Sequence, residues 1–311
     1  MKLLELDTIS YSQNVSPVFS LFDTVLFAEL NQHKVEQVHY LLFVDGKKKF
    51  ALIGGEKKGI FLSPFSASFC AFTPLEENIR LEFYHQAVEA LINWCRVKNF
   101  RRIENLQPPL FYAPSHLSKM QNALLNKGFS LKAYDLNYEY DLTTHPLNDF
   151  EGLSRAARKN FRKAERARLV FTKTDDFSIT YNTILQNRQE RGFPLHMSLE
   201  DVKATAKIIP TDLFIVSTPD GEVAASAVVH QMDNLIVRVV YWGNLKQYEN
   251  MRPMNFLAKK LFDYYAQRKF RIADIGTSTV EGVPNFGLCN FKEGIGCKCS
   301  PKLLFTLDLS I

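Results

Sequence analysis

Between positions 155 and 168 the chain carries Arg155, Arg158, Lys159, Arg162, Lys163, Arg166 and Arg168 against a single acid, Glu165. That local excess of six positive charges compares with +5 for the whole protein, so the remainder is slightly acidic. One helix-length patch therefore accounts for the basic character. Such a patch draws phosphate, whether on a nucleotide-linked sugar, on coenzyme A, on tRNA or on an anionic lipid. The plainer reading of any charge run is a solvated helix face. Phe161 is the patch's one aromatic, too little for a base-stacking platform. Arg188 and Arg191, one turn apart, extend the patch if their helices pack side by side. Arg158, Lys159, Arg162 and Arg188 are thus candidate cations for an anionic substrate.

Other reactive residue types give weaker patterns. Cys289, Cys297 and Cys299 fit no common zinc spacing and have no fourth ligand nearby, so no metal is expected. Ser63, Ser66 and Ser68 share a loop without the pattern of a nucleophile elbow. The cysteines have no obvious histidine partner, and His196 and His230 read as structural. No covalent nucleophile is indicated.

The elements that hold these residues repeat one order along the chain. Residues 38–44 read as a strand, Asp45-Gly46 as a hairpin turn, 49–53 as a second strand and 60–62 as the start of a third. Thr73-Pro74-Leu75-Glu76 reads as a capping box opening a helix whose apolar face is Leu81, Tyr84, Val88, Leu91 and Cys95. A strand at 101–106, a helix at 115–127 closed by Gly128 and a strand at 134–142 follow. In the second half, strands at 213–217, 223–230 and 235–242 are separated by turns at Asp220-Gly221 and Asp233-Asn234. Pro253 opens a helix, 271–275 is a strand, 285–293 a short helix and 303–309 the last strand. Each half is a three-stranded antiparallel meander followed by α-β-α-β. The fold class is α/β with mixed sheets, arising by internal duplication, with domains at 1–145 and 146–311 divided near Thr143-Thr144-His145-Pro146. Helices at 150–168, 177–191 and 198–208 precede the second meander.

This order resembles the GNAT acyltransferase fold, and two copies in tandem resemble its FemAB-like branch. The motifs that carry the resemblance lie in the second half. They are Arg158-Lys159-Asn160-Phe161-Arg162-Lys163-Ala164, Asn187-Arg188-Gln189-Glu190-Arg191-Gly192-Phe193, and the closing Asp274-Ile275-Gly276, Gly282 and Phe291-Lys292-Glu293-Gly294-Ile295-Gly296. The first half matches in element order only. The glycine loop with which many GNAT enzymes hold the pyrophosphate of acetyl-CoA is missing: Glu249-Asn250-Met251-Arg252-Pro253-Met254-Asn255 has no glycine, and Pro253 removes one N–H.

The resemblance implies transfer of an acyl or aminoacyl group to an amine. That reaction needs donors for the carbonyl oxygen, a neutral amine and a held donor. On the resemblance, Lys292 lies near the reaction centre, as an ammonium for donor phosphate or oxyanion. Asp274 either orients the acceptor amine and takes its proton, or caps the turn at Gly276. Tyr241 is placed where the sheet splays, as a hydrogen-bond donor, with Trp242 and Phe291 beside the donor. Arg252 and Asn255 flank the helix N-terminus that would face donor phosphates. No tightly bound cofactor is implied. The co-substrate is acyl-CoA or aminoacyl-tRNA, and the acceptor is a phosphorylated or anionic small molecule such as a cell-envelope or nucleotide-sugar precursor. A different class of function is a catalytically silent GNAT pair that binds a phosphorylated metabolite or a partner. A third is attachment to anionic membrane through the basic helix.

Composition limits the field. The 311 residues are 46% apolar and 23% charged, with 25 Phe and 12 Tyr, as for an ordinary globular protein with bulky cores. No apolar run reaches the roughly 18–20 residues of a bilayer span, and residues 1–7 do not read as a signal peptide. Five cysteines read as free thiols of a reducing compartment. A cytoplasmic, bacterial enzyme is expected.

Overall fold

The computed structural model of the chain describes residues 1–144 and 152–309. These form two compact units. The first holds Met1–Asp135, Glu281–Val283 and the chain from Ser300 onward; the second holds Leu136–Val280 and Pro284–Cys299.

The first unit begins with β1 (Lys2–Leu6) and two short helices, α1 (Thr8–Asn14) and α2 (Val25–Asn31). β2 (Gln37–Asp45) and β3 (Lys47–Lys57) form the Asp45-Gly46 hairpin, with Gly46 at φ 65°. β4 (Ile60–Ser63), β5 (Thr73–Pro74), α3 (Leu81–Val97), β6 (Arg102–Leu106) and α4 (Pro114–Asn126) follow. The strand order β1-β2-β3-β4-β6 is antiparallel up to β4, and β4 pairs parallel with β6. The capping box expected at Thr73 is not formed. Thr73 and Pro74 pair with Ala51 and Phe50 of β3, and the Thr73 hydroxyl accepts from Phe19 N–H at 3.2 Å. Glu76 pairs with Lys49 at 2.7 Å. Sheet pairing has claimed the would-be cap, and α3 starts seven residues beyond its Pro74.

The second unit contains the latter part of β7 (Ser130–Asp141), then α5 (Arg155–Arg166), β8 (Val170–Thr174), α6 (Phe177–Arg191), α7 (Leu199–Ala206), β9 (Thr211–Ser217), β10 (Val223–Gln231), β11 (Ile236–Asn244), α8 (Pro253–Gln267) and β12 (Ile272–Thr277). The dipeptide strands β13 (Thr279–Val280) and β14 (Val283–Pro284), α9 (Phe286–Gly294) and β15 (Lys298–Asp308) close the chain. The order β8-β9-β10-β11 is an antiparallel meander, β11 pairs parallel with β12, and β7 pairs antiparallel with β12. β15 pairs with β6 of the first unit. The compact units therefore do not divide at 145/146. The strand after α4 completes the second unit's sheet, and the last strand completes the first's. Of the expected linker, Thr143 and Thr144 are described and His145-Pro146 lie outside the described residues, as does Phe150 at the expected start of the basic helix. Each meander also has one strand more than the sequence pattern indicated, β1 and β8.

Apolar residues of the second sheet alternate between two cores. On one face Phe161 of α5 and Phe256, Leu257, Leu261 and Phe262 of α8 cover Phe214, Ala227, Val237 and Ile275. On the other, Ile184 of α6 and Val202 of α7 cover Leu213 and Val228. This two-sided cover suits a largely apolar central β10.

Candidate functional site

The parallel ladder between β11 and β12 is short: Ile236, Val237 and Arg238 face Ile272, Ala273 and Asp274, and there it stops. Both strands carry an irregularity just beyond. Val228 faces Tyr241 and the next residue, Val229, faces Val239, so Val240 is an extra, bulged residue. The register of β12 on β7 likewise shifts between Asp274 and Gly276, leaving Ile275 over. A bulge bends its strand and frees backbone groups from the ladder. The strands part, and a cleft of about 610 Å³ lies between them. Its lining comes from β11, the end of β12, the N-terminus of α8, α9, the C-terminal turn of α6 and Asn160 of α5. The counterpart in the first unit, beyond the Ser63–Asn105 pair of β4 and β6, is filled by the chain itself. Phe69, Cys70, Ala71 and Phe72 are buried there, with Cys70 N–H donating to Leu106 O at 3.0 Å.

Lys292 lines the cleft from the last turn of α9, where the helix dipole favours a cation. It is 2% exposed. Its Nζ donates to Gly276 O at 2.8 Å and Thr277 O at 2.9 Å, two carbonyls released where β12 leaves the ladder. Burial pulls its ammonium down from the ordinary 10.5 to about 8. Two of its three N–H donors are used; the third remains.

Asp274 does not line the cleft. Fully buried, it pairs with Arg238, which does. It also accepts from Asn137 Nδ2 at 2.8 Å and Gly276 N–H at 2.9 Å. The latter bond caps the turn in which Gly276 takes φ 76°. Tyr241 also lies off the cleft. The bulge turns it toward Tyr181, Leu195 and Met197 under α6 and α7, and burial raises its phenol pKa. Trp242 and Phe291 both line the cleft, their rings 5.9 Å apart and edge to face.

Arg252, Asn255 and Arg188 line it too. Arg252 occupies the N-cap of α8 at φ 61° without capping through its side chain, and Pro253 follows at the first turn. The next N–H groups of that turn have no acceptor within the helix. The Nε atoms of Arg188 and Arg252 are buried with no hydrogen-bond partner, and burial pulls the pKa of Arg188 below the usual arginine value. Arg158, Lys159 and Arg162 are exposed and outside the cleft; of that motif the cleft receives Asn160.

Three contributors escaped the sequence reading. Asn187 is 4% exposed and donates through Nδ2 to Asn244 O at 2.7 Å, holding the end of β11. Gly243 permits this: a Cβ there would lie 2.4 Å from Asn187 Oδ1. Arg238 is the third. Its signal was present, as an arginine inside the apolar run 236–240 and an aspartate inside 272–275, since buried charges come in pairs. The rim is tied by Lys246 N–H donating to Glu190 at 2.9 Å and by Arg191 to Glu249 at 3.4 Å. All five cysteines are unpaired thiols. Among the described residues no cluster of His, Cys, Asp or Glu could hold a metal ion, and no helix is long and apolar enough to cross a membrane.

No protein-family profile and no curated protein sequence matches the chain. Solved structures do. A crystal structure of FemX superposes with a TM-score of 0.72 at 11% identity, covering 99% of this chain and 97% of that one. The C-terminal domain of a putative lysylphosphatidylglycerol synthetase from Agrobacterium fabrum gives 0.62 at 11% identity, covering 96% and 92%. The chain has a tandem GNAT-like fold of the FemAB-like kind. A tandem GNAT protein from the clavulanic acid biosynthesis pathway is also similar, with 0.53 at 10% identity over 100% and 99% of the two chains. The chain's double meander, with a splayed second sheet, supplies the backbone frame around Lys292.

Proposed function

We propose that the chain is an acyltransferase that moves an acyl or aminoacyl group from a phosphate-bearing donor, acyl-CoA or aminoacyl-tRNA, to an amine. The acceptor is an anionic small molecule of the cell-envelope or nucleotide-sugar precursor class. One observation carries the reading: the splay between β11 and β12 opens a cleft whose lining joins a buried lysine to two arginines with unpartnered Nε atoms and a helix N-terminus. In this scheme Arg188, Arg252 and the α8 N–H groups at Met254 and Asn255 hold donor phosphate, without the glycine loop. Trp242 and Phe291 flank the donor's arm. The amine attacks the acyl carbon, forming a C–N bond. The C–S or C–O bond to the donor then breaks, and the amine's proton ends on the departing sulfur or oxygen. Lys292, protonated at neutral pH, offers its remaining N–H to the carbonyl oxygen as negative charge develops. Asp274 acts through Arg238 and the turn at Gly276, as a positioning residue. The amine must then arrive neutral or lose its proton to solvent.

The commitment of Asp274 also favours a second reading. With its carboxylate held by Arg238, Asn137 and Gly276, the cleft suits a silent protein that binds a phosphorylated metabolite. Titration calorimetry with CoA and acetyl-CoA, then with aminoacyl-tRNA, tests donor binding. Release of free thiol or deacylated tRNA in the presence of amine acceptors tests turnover. Saturable binding with turnover supports the transferase; binding alone across the acceptors supports the silent reading; neither removes both.

A further inference from the structure

The basic helix α5 lies mostly outside the cleft, and its charges need another explanation. At 100° per residue, Arg155, Arg158, Lys159, Arg162, Lys163 and Arg166 fall in one arc of roughly 140°. The buried stripe, Ala157, Phe161 and Ala164, lies on the opposite side. Asn160, which meets the cleft, sits at the flank. The basic arc thus faces directly away from the core. Arg155, Arg158, Lys159, Lys163 and Arg166 have no acidic partner among the described residues. Lys260 of α8 adds a further cation on the same layer, over the ring of Phe256 at 5.5 Å, with Phe256 stacked on Phe161. A helix of 12 residues is about 18 Å long, so the face is a straight, single-sign strip.

We propose that this strip docks the protein on an anionic lipid surface. Charge complementarity commits it to a flat polyanion: five unpaired cations on one outward arc match a plane of negative headgroups. A compact ligand carrying two or three phosphates would leave most of them unused. The face also offers no exposed aromatic for bases, because Phe161 is 4% exposed, which disfavours single-stranded nucleic acid. At its C-terminal end the chain turns through Arg168 into Val170, half exposed at the start of edge strand β8, an apolar side chain beside the headgroup contacts. Clusters of four to eight Lys or Arg on an amphipathic helix bind anionic bilayers in this way.

The test is sedimentation of the full chain with phosphatidylcholine vesicles containing about 30 mol% phosphatidylglycerol, at about 0.05 M and about 0.5 M salt. The comparison is R155Q/K159Q/K163Q/R166Q, whose four substitutions sit on exposed positions and should leave the thermal midpoint unchanged. Each cation is worth roughly fivefold in partitioning at such a surface, so the variant should bind several hundred-fold more weakly. Wild-type protein should pellet with these vesicles, ignore pure phosphatidylcholine and release at high salt. No pelleting at low salt overturns the proposal, as does pelleting that the four substitutions leave unchanged. Bulk tRNA retarded by the wild type but not by the variant, with vesicles unbound, overturns it in favour of RNA. None of these readouts requires donor binding in the cleft.

Discussion

Removing the carboxylate of Asp274 should cost stability before it costs chemistry. Asp274 is fully buried and Arg238 is 7% exposed. Asp274→Ala therefore removes the carboxylate from a largely buried guanidinium, a loss of about 3–5 kcal/mol for a broken buried pair. It also removes the acceptor for Asn137 Nδ2 and Gly276 N–H, so the upper part of that range applies. Asp274→Asn keeps an oxygen for those two donors but turns an amide toward Arg238, and about 3 kcal/mol is expected. Arg238→Met alone removes the carboxylate's ion-pair partner and should cost a similar amount. The double variant Arg238→Met/Asp274→Asn buries no charge, and should lose at least about 2 kcal/mol less than the sum of its parts. Urea unfolding followed by circular dichroism measures all four. Single losses below about 1 kcal/mol that add in the double variant would refute the positioning role. So would Asp274→Asn protein that keeps its unfolding midpoint yet loses turnover, which would mark Asp274 as the proton acceptor.

Lys292 gives a pH signature. The folded chain releases its proton near 8 and the unfolded chain near the ordinary 10.5. Between those values the unfolded state binds more protons, so stability rises with pH, by about 3 kcal/mol across the window. Lys292→Met should lack that rise; parallel unfolding midpoints for the two proteins from neutral to alkaline pH would sink the assignment. Gly243→Ala should push Asn187 off Asn244 O and cost about 1–3 kcal/mol, with weaker donor binding; an unchanged midpoint in urea would show that α6 gives way freely. Arg188→Gln and Arg252→Gln should each weaken donor binding by about 10-fold or more, the worth of a charge-assisted hydrogen bond. Equal calorimetric affinities in wild type and both variants would place the phosphate elsewhere.

The order of elements along the second half, from β9 to α9, was legible because its signals are local. The Asp220-Gly221 turn and Pro253 at the first turn of α8 are both read within a few residues. Thr73 had the same local signal and failed, because pairing with β3 is invisible from inside a window. β8 escaped because Thr172, Lys173 and Thr174 leave it no apolar alternation. The exchange of β7 and β15 between the units escaped for a deeper reason. Partner choice depends on residues more than 130 positions apart, and both strands fit either sheet by pattern. The site followed the same rule. Trp242, Phe291, Lys292, Arg252, Asn255 and Arg188 line one cleft. Tyr241 misses it because a one-residue bulge at Val240 reverses the side chain's face. Arg158, Lys159 and Arg162 miss it because the face of α5 that meets the cleft is the one bearing Asn160.

The claim that the cleft of the second unit receives the donor has a direct reporter. The chain has two tryptophans: Trp94, which belongs to the first unit's core, and Trp242, which lines the cleft. In a Trp94→Phe protein the remaining emission comes from Trp242. Titration with CoA, and separately with aminoacyl-tRNA, should give a saturable change in that emission with at least one of the two, and Arg252→Gln should move the midpoint to higher concentration. Emission that stays flat with both donors while calorimetry registers binding would put the donor outside this cleft and contradict the assignment.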